Sequence, residues 1–228
     1  MPRQPSALSR SGRGRRRPLA RARKIADSLA VTYPGTTTEL CALAHRDPFE
    51  LLVATILSAQ CTDERVNIVM PILFRRYPTP QAMAGADRDE LETLIRSTGF
   101  FRAKASHIIG ASEAIVMRHA GEVPRSMEEL TALPGVGRKT ANVVLSVAFD
   151  IPGLPVDTHV TRLSRRLGLS GSADPIQIEQ DLCGMFPPDQ WGAISLRLIL
   201  HGRRVCDARR PRCEICEVAD LCPSRGKF

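Results

Sequence analysis

The chain has 228 residues, of which 43% are hydrophobic and 4% aromatic, and its formal net charge at pH 7 is +8. This length suffices for one large domain or two small ones with a buried core. No run of 18 apolar residues is present, and no apolar segment follows the N-terminal arginines. These absences argue against a membrane span and a secretory signal, so we expect an intracellular protein in a reducing compartment.

The positive charge is concentrated at the N-terminus. Residues 1–24 carry nine basic and no acidic side chains, whereas the rest of the chain carries 23 basic and 24 acidic ones. A nucleic-acid surface on the folded part must therefore come from local patches. We predict that residues 1–17 form a disordered basic tail that adds sequence-independent attraction to phosphates. A mitochondrial transit peptide or a nuclear targeting signal has a similar composition, and both alternatives stay open.

Helical periodicity dominates the chain, and no segment shows the alternation of a strand, which predicts an all-α protein of about ten helices. A first helix is expected from Pro18 to Tyr33, followed by a loop over 34–46. Asp47-Pro48-Phe49-Glu50 is a strong helix start, with Asp as N-cap, Pro at the first position and Glu completing a capping box. Further starts are expected at these positions: Thr62, two within 79–98, about 102, Ser126, Gly137, Asp157, Asp174 and Pro187.

The most informative stretch is a glycine-rich turn between two helices, Leu133-Pro134-Gly135-Val136-Gly137-Arg138-Lys139-Thr140-Ala141-Asn142. Glycines let the main chain approach an anion, and the free N–H groups at a helix start point towards it. This predicts a helix-hairpin-helix unit over about 126–149 that holds DNA phosphates around Gly135 and Gly137. Lys139 falls in the first helical turn, where the helix dipole disfavours a cation, which makes it a candidate nucleophilic amine.

Asp157 follows Lys139 by eighteen residues and precedes another helix. It is a natural N-cap, and capping alone would explain it. A helix start also favours the charged carboxylate, which is what a reaction through a cationic sugar needs close to C1′. Both interpretations stay open on the residues alone.

Four of the seven cysteines lie near the C-terminus, spaced C-x6-C-x2-C-x5-C: Cys206, Cys213, Cys216 and Cys222. Such a group is typical of a metal site, and its spacing leaves zinc and iron–sulfur open. The loop inside the first gap contains Arg209, Arg210 and Arg212, which are either a rigid phosphate-contacting patch or a solvated charge run. The other three cysteines are expected to be buried thiols.

Together these motifs resemble the endonuclease III family, the iron–sulfur branch of the helix-hairpin-helix DNA glycosylases. The likeness covers about 30–222, in the family's order, and rests on five segments: 57–63 (Leu-Ser-Ala-Gln-x-Thr-Asp), 133–142, 156–159 (Val-Asp-Thr-His), 201–203 (His-Gly-Arg) and the four cysteines. The resemblance implies two lobes: a six-helix barrel lobe over 41–151, and a cluster lobe formed by 18–40 plus 152–228.

The resemblance also implies roles for individual residues. Lys139 matches the catalytic lysine that attacks C1′ and forms a Schiff base, and Asp157 matches the catalytic aspartate. The cysteines match the ligands of a [4Fe–4S] cluster. Gln60 matches the residue that fills the gap left by a flipped nucleotide, and Phe100 stands where the family has an apolar wedge, often leucine. The expected DNA-binding set is Gln60, Phe100, Gly135, Gly137, Arg138, Thr140, His159, Arg209, Arg210 and Arg212.

The implied function is a bifunctional DNA glycosylase and abasic-site lyase of base excision repair, acting as a monomer on double-stranded DNA with damaged pyrimidines or abasic sites. A bacterial-type location in the cytoplasm and nucleoid is expected, while the basic N-terminus leaves a mitochondrial or nuclear one open. Two alternatives are an adenine-type monofunctional glycosylase and a non-enzymatic, redox-sensing iron–sulfur protein. The first would lack Lys139 and carry a further C-terminal domain, and the second would need neither Lys139 nor Asp157.

Overall fold

The computed structural model describes residues 12–227 and the side chains of 19–227. This part of the chain contains twelve α-helices and four short 3₁₀ helices but no strand, so the all-α prediction is confirmed. The α-helices are α1 Gly12–Thr32, α2 Thr37–Leu40, α3 Pro48–Leu57, α4 Asp63–Arg76, α5 Pro80–Ala84, α6 Arg88–Ile95, α7 Phe101–Arg118, α8 Met127–Thr131, α9 Arg138–Ala148, α10 Thr158–Arg166, α11 Pro175–Cys183 and α12 Trp191–Arg204. The 3₁₀ helices are Arg96–Thr98, Pro188–Gln190, Cys213–Ile215 and Ala219–Leu221.

Most helices begin where a capping side chain predicts that they begin. Asp47 accepts a hydrogen bond from the Glu50 amide at 2.8 Å, and Ser126 accepts one from the Glu129 amide at 3.2 Å. The expected capping box at α3 takes a shifted form, because the Glu50 carboxylate accepts from the amide of Arg46, one residue before the cap. Each bond satisfies a backbone donor that the helix itself leaves free.

Two features of the N-terminal region differ from the sequence prediction. The first helix begins at Gly12 and not at Pro18, so residues 12–17 of the expected disordered tail are helical. The rest of that tail, residues 1–11, lies outside the described residues. The expected loop over 34–46 contains the short helix α2, which a complete capping box between Thr36 and Glu39 stabilises.

The helices pack in two groups. In the first group α5 and α6 pack on α7, and α7 and α9 pack on α3, which is buried from Phe49 to Leu57 as its apolar composition predicts. In the second group α1 and α10 pack on α12, while α11 packs on α10. The two groups meet where α12 contacts α2 and α9. The proposed lobe boundaries, 41–151 and 152–228, stay a prediction.

The two ends of the chain are joined within the second group. Arg21 of α1 donates hydrogen bonds to the carbonyls of Leu167, Gly168 and Leu221 at 2.8, 2.8 and 3.1 Å. These bonds tie the first helix to the end of α10 and to the segment that carries the last cysteine. In the described part of the chain, no helix has the length and apolar character needed to cross a membrane.

Candidate active site and cluster site

The glycine-rich turn has the geometry of a backbone anion site. Gly135 has a φ of +74°, and a Cβ there would lie 2.5 Å from the Cβ of His107 in α7, so both conformation and space require glycine. Gly137 is the N-cap of α9, and a Cβ there would meet no heavy atom within 4 Å. The start of α9 is therefore open to solvent, and its unsatisfied N–H groups are available to an anion.

The structure brings Lys139 and Asp157 to one pocket between the two helix groups. Lys139 is exposed in the first turn of α9, and Asp157 is half-buried as the N-cap of α10. The Asp157 Oδ1 atom accepts the Val160 amide at 2.8 Å, so the capping prediction is confirmed. Apolar residues, Leu40 and Val143 among them, also line the pocket. A lysine and a carboxylate that line one cleft are suited to nucleophilic attack on a substrate that develops positive charge.

Two further charged residues line this pocket that were not expected as site residues. Arg203 of α12 forms an ion pair with Asp63 of α4, with 2.5 Å between Nη1 and Oδ2. Since α4 packs on α3 and α6 of the first group, this ion pair joins the two helix groups. Both residues lie in segments that carry the family resemblance, which is the signal that could have assigned them to the site.

His159 and Arg138 are both engaged by neighbours within the protein. Arg162 Nη2 lies 3.1 Å from His159 Nδ1, and burial lowers the pKa of His159. Arg138 donates two hydrogen bonds of 2.8 Å to the carboxylate of Glu179, which raises the pKa of Arg138. Arg138 lies beside the hairpin as expected, but Glu179 offsets its charge. A role in DNA contact stays a prediction for both, and for the half-buried Thr140.

Gln60 and Phe100 occupy exposed turns with an unusual backbone conformation. Gln60 follows α3 with a φ of +53°, and Phe100 precedes α7 with a φ of +50°. Phe100 is 67% exposed, which is far more than an aromatic ring in a packed core. Left-handed conformations are rare for residues other than glycine and concentrate at functional turns. Both residues are thus held outward by strained turns.

The four C-terminal cysteines line one cavity, and none of them forms a disulfide. Apolar side chains, Leu163 and Val205 among them, form part of its wall. The buried His201 ring lies with its Nε2 atom 3.4 Å from the sulfur of Cys216, and its Nδ1 atom 3.2 Å from the Tyr33 hydroxyl. Four convergent thiols in an apolar cavity fit an iron–sulfur cluster, whose sulfur ligands are commonly stabilised by hydrogen bonds.

The basic loop beside this cavity, residues 207–212, is fixed by hydrogen bonds to its backbone carbonyls. Arg166 donates to the carbonyls of Asp207 and Ala208, both at 2.7 Å. The side chains of Arg209, Arg210 and Arg212 are exposed. A fixed backbone with exposed guanidinium groups is suited to phosphate contacts, and that role stays a prediction.

Comparisons with known proteins identify the class of protein to which the chain is similar. Residues 53–188 match the model of the HhH-GPD superfamily of base excision DNA repair proteins. Residues 206–222, which run from the first to the last of the four cysteines, match the iron-sulfur binding domain of endonuclease III.

Individual relatives narrow the class to one family. The chain is 58% identical over 205 residues to endonuclease III of Synechocystis, covering 90% of this chain and 92% of the relative. It is 47% identical to endonuclease III of Bacillus subtilis, covering 80% of this chain and 84% of the relative. The solved structure of a non-covalent endonuclease III–DNA complex superimposes with a TM-score of 0.86 at 42% identity, covering 92% of this chain and 97% of that one.

The chain belongs to the endonuclease III family. The two-lobed glycosylase fold is thereby confirmed. The cofactor is a [4Fe–4S] cluster, which decides between the iron–sulfur and zinc alternatives. The protein is a bifunctional DNA glycosylase and abasic-site lyase of base excision repair.

Proposed function

We propose that the pocket between the helix groups removes oxidised pyrimidines from duplex DNA, with Lys139 as the nucleophile. The Lys139 amine forms a bond to C1′ of the lesion nucleotide, the bond from C1′ to the base breaks, and the base leaves with a proton. The sugar ring then opens to an imine between Lys139 and C1′. Asp157 stabilises the positive charge that develops on the sugar as the bond to the base breaks.

Strand cleavage follows from the chemistry of the imine. The imine makes a proton on C2′ acidic, and its removal expels the 3′ phosphate by β-elimination. Water then hydrolyses the imine and releases Lys139. The observation that carries this proposal is the convergence of Lys139 and Asp157 on one cleft. A relative that is 43% identical to this chain has been solved as a trapped endonuclease III–DNA covalent intermediate.

Access to a base inside the stack requires that the nucleotide be flipped out of the duplex. Gln60 fills the space that the flipped nucleotide vacates, and Phe100 wedges between bases on the opposite strand, which offsets part of the unstacking cost.

The hairpin amides around Gly135 and Gly137 hold the phosphates of the lesion strand. Cys206, Cys213, Cys216 and Cys222 would hold the [4Fe–4S] cluster, which would fix the loop between them, and Arg209, Arg210 and Arg212 of this loop add phosphate contacts. The protein acts as a monomer on DNA of the cytoplasm and nucleoid.

Borohydride trapping on a duplex with a thymine glycol or an abasic site tests the proposal, because reduction of the imine leaves the protein bound to DNA. The native protein should give a covalent product. Lys139→Gln and Lys139→Arg should give none; the second variant keeps the positive charge and therefore separates imine formation from charge. Absence of product from the native protein, or undiminished trapping by either variant, would exclude Lys139 as the nucleophile.

A further inference from the structure

Lys104 is a buried cation with no part in the proposed chemistry. It lies in the first turns of α7 and is 3% exposed. No ion pair among the described side chains includes it. Burial lowers its pKa, because the surroundings disfavour the charged form. Burying a charged side chain without a carboxylate partner is costly, so hydrogen bonds to the protein must replace the lost hydration of the Lys104 ammonium group.

The Lys104 ammonium bridges two carbonyl groups from separate turns. Its Nζ atom donates to the carbonyl of Leu57 at 2.8 Å and to the carbonyl of Thr98 at 2.7 Å. Leu57 is the last residue of α3, and Thr98 is the last residue of the 3₁₀ helix before α7. Carbonyls at helix ends lack partners within the helix, so the ammonium satisfies both ends at once.

These two carbonyls lie within three residues of the side chains assigned to DNA insertion. Gln60 follows Leu57 by three positions, and Phe100 follows Thr98 by two. Both inserted residues have a positive φ, so each turn is strained and persists only if its surroundings hold it. The Lys104 side chain contacts both turns.

We infer that Lys104 is a positioning residue that sets the separation and orientation of Gln60 and Phe100, so that the two side chains enter the DNA stack together. The inference rests on the insertion roles given to Gln60 and Phe100 in the proposed function. Without the bridge, the two strained turns relax independently. Base flipping then slows, while the lysine chemistry in the pocket is unchanged.

Lys104→Met tests the inference because methionine has a similar length but no donor. The matched control is Ile108→Ala, one turn further along α7, where a fully buried side chain is shortened but no hydrogen bond to either turn is lost, because isoleucine has no side-chain donor. Both variants lower the stability of α7, and only Lys104→Met removes the bridge. If Lys104→Met fails to fold, Lys104→Gln gives the same comparison, because its shorter side chain does not span both carbonyls.

The measurement is stopped-flow fluorescence of a duplex with 2-aminopurine next to a thymine glycol, which brightens as the stack opens. Lys104→Met should slow this phase by roughly ten- to a hundredfold, the scale associated with a misplacement of about 1 Å. Ile108→Ala should keep the native rate. In a Gln60→Ala/Phe100→Ala background, Lys104→Met should slow opening by less than about twofold, since residues that act as one unit are non-additive.

Each result has one meaning. A native rate for Lys104→Met, equal slowing by Ile108→Ala, or equal slowing in both backgrounds would overturn the positioning role. A native rate for Gln60→Ala/Phe100→Ala would instead overturn the insertion roles of the proposed function. Failure of borohydride trapping by the native protein would refute the lysine chemistry and leave the flipping comparison intact.

Discussion

The two roles of Asp157, helix cap and catalytic carboxylate, can be separated by substitution. Asp157→Asn keeps an oxygen that can accept the Val160 amide, now at 2.8 Å, but removes the negative charge. Asn and Asp rank equally as N-caps, so the free energy of unfolding should change by less than about 0.5 kcal/mol. Asp157→Ala also loses the cap, which should cost about 1 kcal/mol.

Base excision should respond differently from stability. Removing one group that stabilises developing charge lowers kcat by about 10²–10³-fold, equivalent to roughly 3–4 kcal/mol. Both Asp157 variants should therefore lose excision to this extent in single-turnover assays on a thymine glycol duplex. Only Asp157→Ala should shift Tm appreciably, by about 2–4 °C for a chain of this size.

Asp87 provides the matched control. It is the N-cap of α6, it accepts the Glu90 amide at the same 2.8 Å, and it lies outside the pocket. Asp87→Ala should lower Tm as much as Asp157→Ala does, with excision unchanged. Full excision by Asp157→Asn would refute the catalytic role of Asp157. If Asp157→Asn lost as much stability as Asp157→Ala, the capping account would be refuted.

Three further outcomes are expected. Gly135→Ala should weaken DNA binding by about tenfold in fluorescence anisotropy, and Gly137→Ala should weaken it less. The Cβ of Gly135→Ala would lie 2.5 Å from a side-chain carbon of α7, and the φ of +74° at this position disfavours any residue but glycine. Equal effects of the two variants would contradict the steric account. Arg76 holds the pKa of Glu90 below its ordinary value, so their ion pair stabilises the protein above about pH 4.3 and its contribution is lost as pH falls. The difference in Tm between the native protein and Glu90→Gln should therefore shrink from about pH 7 to about pH 3. A difference that stays constant over this range would refute the stabilising role of the ion pair. Cys213→Ser should lose the brown colour and the native content of about four irons per chain, and retention of both would exclude it as a ligand.

Helix starts could be predicted from the sequence because a capping side chain and the backbone amide that donates to it lie within three residues. Asp47, Ser126 and Asp157 each form the bond expected of them. The same rule also detects α2, since Thr36 and Glu39 have the spacing of a capping box. That helix was missed because its four residues show no helical periodicity.

Contacts between distant segments could not be read from local pattern. The partner of Arg138 is Glu179, 41 residues away, and the partner of Arg203 is Asp63, 140 residues away. Lys104 resembles any surface lysine in sequence, and only the packed structure shows it buried between two carbonyls. Lys139, by contrast, stands in a long local motif, which is why it could be assigned in advance.

The hydrogen bond from Arg21 to the carbonyl of Leu221 spans 200 residues, which has a consequence for synthesis. At a translation rate of about 5–20 residues per second, α1 waits on the order of ten to forty seconds for its partner. Helices α3–α9 are contiguous in the chain and can pack during that interval. Until α12, the helix that packs on α1, has been made, the apolar face of α1 with Ile25 and Leu29, both fully buried in the complete protein, lacks this cover. A prematurely terminated chain therefore carries a helix with an uncovered apolar face that chaperones and proteases recognise, so incomplete copies are open to cellular quality control.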